Sequence, residues 1–149
     1  MEADDAIAIE ATQNPDAIVV SNDKDMYQLR CGLYRYRGDA YHPKGSPPSH
    51  SMYNLCHQVL TGDSTDNYPG IPGVGEKKAF KILPDPLREI TIKQLLDATM
   101  FAFIEYYGEE GIERFLEQMR LAFLVRELDE QGNPVLPTAE LSFYERYYS

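Results

Sequence analysis

Residues 69–75 read PGIPGVG, two prolines and three glycines in seven positions. Neither a helix nor a strand runs through such a stretch. Proline lacks an amide donor and fixes φ, and glycine loses more conformational freedom on folding than any other residue. The chain must turn there, and its two sides differ. Upstream, DAIVVS (residues 16–21) is a short apolar run, β-branched at its centre, which suits a buried parallel strand. It follows Ala3, Ala6, Ile7 and Ala11 at near-helical spacing, a helix that should end near Asn14 and Pro15. Helix, tight turn and buried strand give the rhythm of an α/β sheet. GLYRYRGDAYHP predicts a hairpin around Gly38 and Asp39. KGSPPSH reads as a loop, and Ser51 as the cap of a helix carrying Tyr53, Leu55, Val59 and Leu60.

Downstream of the turn the pattern is helical. A short helix with Ala79, Phe80, Ile82 and Leu83 should stop at Pro84 and Pro86. A second should run from a Thr91 cap to Gly108. A third carries Ile112, Phe115, Leu116, Met119 and Phe123 on one stripe. DEQGNPVLP reads as a turn, and the aromatic tail ELSFYERYYS as a segment that packs back on the core. The expected fold class is therefore α/β, with a parallel sheet followed by an all-helical region. The expected division is 1–61, 62–125 and a tail at 126–149.

The chain has 149 residues and a formal net charge of −10, which argues against a simple sequence-independent nucleic-acid binder. The charge is uneven, however. Residues 1–29 hold seven acids against Lys24 alone, and residues 94–149 hold eleven against four arginines. Residues 76–93 hold Lys77, Lys78, Lys81, Arg88 and Lys93 against three acids. Local field, not average charge, steers a ligand. No apolar run approaches the roughly 20 residues that span a bilayer. The start has acids where a secretory signal would be basic, so a cytoplasmic protein is expected. Cys31 and Cys56 match no close metal or redox spacing and read as two reduced thiols.

Three short acidic clusters fall at element boundaries: Glu2, Asp4 and Asp5; Asp23 and Asp25; Asp63 and Asp66. Each alone has a plainer reading as a cap or turn, since Asp favours both. Brought together, seven carboxylates could not share a pocket uncompensated. Hard divalent cations with oxygen ligands remove the conflict. Two such ions can hold both the attacking and leaving oxygens of a phosphodiester displacement, and they make an acidic pocket hospitable to phosphate. The adjoining loop, with Gly70, Ile71, Gly73, Val74 and Gly75, could present backbone amides, with Lys77, Lys78 and Lys81 just beyond. It is not a Walker A loop. It suits a backbone contact to DNA that positions without reading sequence. His42, His50 and His57 share no ligand spacing. The tyrosines read mainly as packing residues, although Tyr27 or Tyr68 could stack on a base. Cys56 reads as core.

EADD, SNDKDMYQL and GDSTDNYPGIPGVGEKKA, in that order, resemble the 5′ nuclease family: flap endonucleases, the 5′-nuclease domains of bacterial DNA polymerases, and phage 5′–3′ exonucleases. The match covers about residues 1–83. The resemblance implies a PIN-like core binding two Mg²⁺ or Mn²⁺ ions. Glu2, Asp4 and Asp5 match the first acidic motif, Asp23 and Asp25 the second, Asp63 and Asp66 the third. The loop at residues 70–75 matches a helix–three-turn–helix element, also called helix-hairpin-helix, that grips duplex DNA and often holds K⁺. The small size is like that of the phage enzymes, which would place the protein in a host cytoplasm.

Family members carry a hundred or more residues before EADD, including a strand, further metal-binding aspartates and a basic arch. The expectation is a C-terminal portion: a fragment, a split-gene product completed by a separately encoded N-terminal half, or a degenerate remnant, with sheet edges exposed in the isolated chain. The leading reading is a metal-dependent 5′–3′ exonuclease or flap endonuclease acting on duplex DNA with a 5′ end or flap. The rivals are a non-catalytic duplex-binding module or an inactive fragment, and, last, a small-molecule phosphatase.

Overall fold

The computed structural model describes residues 2–43 and 48–148. The chain is mixed α/β. Helix α1 (Ala3–Gln13) leads to strand β1 (Ile18–Val20), a 3₁₀ turn at Lys24–Gln28, strands β2 (Gly32–Arg35) and β3 (Ala40–His42), and helix α2 (Pro48–Thr61). Helices α3 (Glu76–Ile82), α4 (Ile92–Tyr107), α5 (Gly111–Ala122) and α6 (Leu141–Tyr148) follow. Sheet order is β1-β2-β3. β1 pairs parallel to β2 with Val19 opposite Leu33. β2 and β3 form the expected hairpin, antiparallel, with Tyr34 opposite Tyr41. Asp39 turns it at φ 48°, a conformation Asp tolerates better than most residues. The sheet is thus mixed, its one parallel pairing being β1 with β2.

The expectation of a buried β1 holds for only one of its faces. Val19 is buried, whereas Ile18 and Val20 are 55% and 61% exposed. Side chains alternate across a strand. Val19 joins Ala8 and Ala11 of α1, with Met26, Leu29, Leu33 and Leu124, in a small apolar cluster. Among the described residues no second helical layer covers Ile18 and Val20. α1 ends where Pro15 approaches, with Asn14 as its C-cap.

A second expectation fails at Ser51. α2 already begins at Pro48, so Ser51 lies inside the helix, and its hydroxyl donates to the Leu29 carbonyl at 3.2 Å. Proline in the first turn costs no hydrogen bond, because its missing N–H would be unpaired there. Residues 44–47 of the expected KGSPPSH loop lie outside the described residues.

The larger apolar cluster is helical. Leu55 and Leu60 of α2, Leu95 and Phe103 of α4, Phe115 and Met119 of α5, and Tyr144 and Tyr148 of α6 are all buried in it. α4 begins on a reciprocal cap: the Thr91 side chain accepts from Gln94 N–H and the Gln94 side chain accepts from Thr91 N–H. It stops at Gly108, as expected. Phe115 and Met119 supply the buried stripe of α5. The aromatic tail does pack back on the core, and the 128–134 turn closes around Asp129, whose side chain accepts the Gln131 and Asn133 amides. Both cysteines are free thiols. Among the described residues no helix is long and apolar enough to cross a membrane.

Candidate functional site

Each acidic cluster sits at an element end, for a local reason. Asp4 lies in the first turn of α1, where the helix dipole favours an acid. Asp23 caps the 3₁₀ turn: its carboxylate accepts Asp25 N–H at 2.9 Å, while the Ser21 hydroxyl oxygen accepts Asp23 N–H. That cap drives Asp25 inward to 7% exposure. There its Oδ1 accepts from Gln58 Nε2 at 2.7 Å. Asp63 follows the end of α2, where Gly62 takes φ 80°. Asp63 and Tyr68 exchange backbone hydrogen bonds, closing a small loop that carries Asp66. Asp63 Oδ1 also accepts Thr65 N–H at 2.8 Å.

The fold gathers these groups. Carboxylate oxygens of Asp4, Asp23 and Asp25 lie within 4.8 Å of one another, as do those of Asp25, Asp63 and Asp66. Asp25 belongs to both sets. Glu2 and Asp5 are in neither set. Glu2 is the exposed N-cap residue of α1, and Asp5 Oδ1 accepts Val125 N–H at 3.0 Å.

Crowding shows in the proton affinities. Burial, then the neighbouring Asp23 and Asp66, push the Asp25 carboxyl up from 3.8 to about 6, against the opposing Gln58 hydrogen bond. Asp4 is raised by burial and by Asp23. Asp63 goes the other way, because Lys24 Nζ stands 2.8 Å from its Oδ2. The same contact raises Lys24. Tyr68 is 2% exposed, and burial beside four aspartates raises its hydroxyl. It is packed under the site and offers no face to a base. Tyr27 meets His42 edge-on at 5.3 Å, with the Arg35 guanidinium 5.0 Å over its ring.

The glycine loop is bound to the end of α2. A Cβ on Gly70, at φ 67°, would stand 2.5 Å from the Leu60 carbonyl oxygen and 2.6 Å from the Gly62 nitrogen. Only glycine permits that backbone approach. Gly70 N–H donates to Gln118 Oε1 at 2.8 Å and Ile71 N–H to the Leu60 carbonyl at 3.0 Å. These two amides are satisfied inside the fold. Val74 N–H closes a turn on the Ile71 carbonyl. Gly73 and Gly75 are exposed, and α3 presents Lys77, Lys78 and Lys81 to solvent while Ala79 anchors it.

Sequence reasoning missed four contributors. Lys24 was flanked by two singled-out aspartates, which was a usable signal. Gln28, Gln58 and Gln118 carried none. Gln28 is fully buried; its Nε2 donates to Gln58 Oε1 and to the Ala122 carbonyl, and its Oε1 accepts Leu124 N–H. A Gln28–Gln58–Asp25 chain therefore holds the central carboxylate.

Comparison with known proteins gives a consistent likeness. The chain is 40% identical over 98 residues to DNA polymerase I of Rhizobium leguminosarum, covering 56% of this chain and 9% of that protein. It is 33% identical over 113 residues to the 5′-3′ exonuclease of Bacillus subtilis, covering 64% and 36%. It is 34% identical over 98 residues to the thermostable DNA polymerase I of Thermus aquaticus, covering 56% and 11%. The chain thus spans about a tenth of these polymerases and about a third of the exonuclease. No family model matches the chain, and no solved structure does.

Proposed function

We propose that this chain is the C-terminal portion of a metal-dependent 5′–3′ exonuclease or flap endonuclease acting on DNA. Its similarity to DNA polymerase I and to a 5′-3′ exonuclease supports the reaction class. The observation that carries the site is the convergence of Asp4, Asp23, Asp25, Asp63 and Asp66, from three separate stretches of sequence, around the buried Asp25.

The donor set fits hard divalent ions. The oxygens are close enough to share cations, and burial and like charge raise the proton affinity of Asp25 and Asp4, a cost that bound positive charge relieves. Mg²⁺ or Mn²⁺, when bound there, would supply an acidified water and neutralise charge on the scissile phosphate. Asp25, shared between both carboxylate sets, would be available to either ion; Asp4 and Asp23 would hold one with it, and Asp63 and Asp66 the other. Gln58 orients Asp25 through a 2.7 Å bond. Lys24 occupies Asp63 until a cation competes for it. Glu2 and Asp5 complete the seven acids; Asp5 also fixes the 122–126 segment by accepting the Val125 amide.

The 62–75 turn followed by α3 serves as the helix–three-turn–helix grip on duplex DNA. Gly73, Val74 and Gly75 approach the backbone, Lys77, Lys78 and Lys81 supply charge, and Gly70 and Ile71 set the loop's shape. A K⁺ ion on loop carbonyls fits this role. Residues 1–61 form part of a PIN-like core, 62–125 the DNA-binding region and 126–149 the tail, in a cytoplasmic protein. The exposed Ile18 and Val20 face of β1 offers an apolar surface for further polypeptide of such a core to cover.

The test is Mg²⁺-dependent cleavage of a 5′-flap duplex by the chain alone and with a complementary N-terminal half. Asp63→Asn should abolish cleavage by the completed enzyme. Undiminished cleavage would refute the site. Duplex binding with no cleavage under any combination would favour the rival reading, a non-catalytic duplex-binding module.

A further inference from the structure

Across α1 from the acidic site lies a pocket of about 480 Å³ lined by Ala11, Pro15, Leu29, Arg30, Arg126 and Arg146. Asp4 and Thr12, at the two ends of α1, are eight residues apart, about 12 Å along a helix. Thr12 lines the pocket, and none of the five gathered aspartates does. Its central feature is Arg126, which is 3% exposed. A guanidinium cannot shed its charge to escape burial. Its Nη2 donates to the Gln28 carbonyl at 2.9 Å and to Tyr148 Oη at 2.8 Å, both neutral acceptors. Its carbon lies 5.0–5.8 Å from the ring centres of Phe123, Tyr147 and Tyr148. Its Nε–H has no acceptor, and among the described residues no carboxylate pairs with it. Glu127, the nearest acid in sequence, is engaged by Arg146 at 2.7 Å and by the Tyr147 hydroxyl. Among the described residues, a chain of net charge −10 has thus buried a cation without an anion.

We propose that this pocket binds an oxyanion of the phosphate-monoester class, which accepts from Arg126 Nε–H and is faced by Arg146 at the rim. Buried unpaired charge is costly, and a bound oxyanion supplies both the missing acceptor and the missing countercharge. The apolar wall of Ala11, Pro15 and Leu29 leaves room for an organic group on the phosphate. The inference stands on Arg126 and its surroundings and does not depend on the nuclease reading.

The test follows the Arg126 Nε–H resonance of the full chain by ¹⁵N NMR. Titrations use inorganic phosphate, thymidine 5′-monophosphate and thymidine, with chloride holding ionic strength constant. The resonance is identified by its loss in Arg126→Lys, or by its contacts to the Phe123 and Tyr148 rings if that variant does not fold. Phosphate and the monophosphate should move it saturably downfield, and thymidine should not. Arg146→Gln should weaken the response about tenfold, the loss expected for one charge-assisted contact. Lys77→Ala/Lys78→Ala should leave it intact. Tighter binding of the monophosphate assigns the organic group to the pocket; equal binding assigns the pocket to phosphate alone. A resonance that stays put while exposed lysine signals shift, one that follows thymidine equally, or one unaffected by Arg146→Gln would overturn the proposal.

Discussion

Asp25→Asn should make the metal-free protein more stable while removing its ability to gain stability from metal. The folded carboxyl is pushed from 3.8 to about 6. At 1.36 kcal/mol per pK unit, ionising it in the fold costs about 3 kcal/mol. The sign follows from linkage. The folded state holds this proton more tightly, so the penalty is absent below about pH 4 and complete above about pH 6. Asparagine keeps an oxygen to accept from Gln58 Nε2, the contact made at 2.7 Å, and carries no charge to desolvate. In EDTA at about pH 8, the variant's urea midpoint should rise by about 1.5 M, given a slope of about 2 kcal/mol per M. The gap should close at about pH 4, where both side chains are neutral. Mn²⁺ should then reverse the order, since a ligand stabilises only the protein that binds it. A variant less stable than its parent at about pH 8 in EDTA, or a difference independent of pH, would refute the idea that Asp25 is a charge awaiting a cation.

Other substitutions probe neighbouring parts. Gly70→Ala should cost more than about 3 kcal/mol by urea unfolding, since the left-handed conformation adds about 1–2 kcal/mol to a backbone collision. Gly73→Ala, at φ 80° with nothing within 4 Å of its Cβ, should cost only the conformational part; equal losses would show that loop packing is misread. Lys77→Ala/Lys78→Ala should flatten the logarithmic salt dependence of duplex binding by about 2, as two phosphate contacts require. An unchanged slope by fluorescence anisotropy would remove those lysines from the interface. Lys24→Met frees Asp63 of the cation 2.8 Å away, so Mn²⁺ should bind several-fold tighter by calorimetry. Weaker binding would mean that Lys24 assists the site.

Local rules carried the element pattern far. Thr91 and Gly108 announced α4, and Gly38 and Asp39 announced the hairpin, because caps and turns depend on residues a few positions apart. That the three acidic clusters would gather came from the family resemblance; of the seven acids named, Asp4, Asp23, Asp25, Asp63 and Asp66 come together, while Glu2 and Asp5 join neither carboxylate set. What was not legible depended on tertiary partners. β1 reads as buried on both faces because Ile18 and Val20 are as apolar as Val19, and nothing local distinguishes the covered side. Ser51 resembles a cap, but Pro48 can open a helix equally well, and the contact to Leu29 comes from a remote segment. Glutamine has no periodic signature, so Gln28 and Gln58 could not be told from surface residues.

Those glutamines show how the helical half fixes the geometry of the acidic half. The end of α5 and the residues beyond it reach the glycine loop, the support of Asp25 and the first turn of α1 through polar bonds. Gln118 holds the Gly70 amide. The Ala122 carbonyl and Leu124 amide hold Gln28, which holds Gln58, which holds Asp25. The Val125 amide holds Asp5 in the first turn of α1, beside Asp4. Buried polar groups of this kind are worth most when every member is satisfied, and removing one strands its partners. The segment from Gln118 to Arg126 therefore ties the glycine loop, the support of Asp25 and the first turn of α1 to one stretch of chain. Gln58→Leu should disclose this: about 1–3 kcal/mol of stability lost from stranding Gln28, together with weaker Mn²⁺ binding as Asp25 loses its orienting donor. Lost stability with unchanged Mn²⁺ affinity would show that Asp25 is positioned by the Asp23 cap alone.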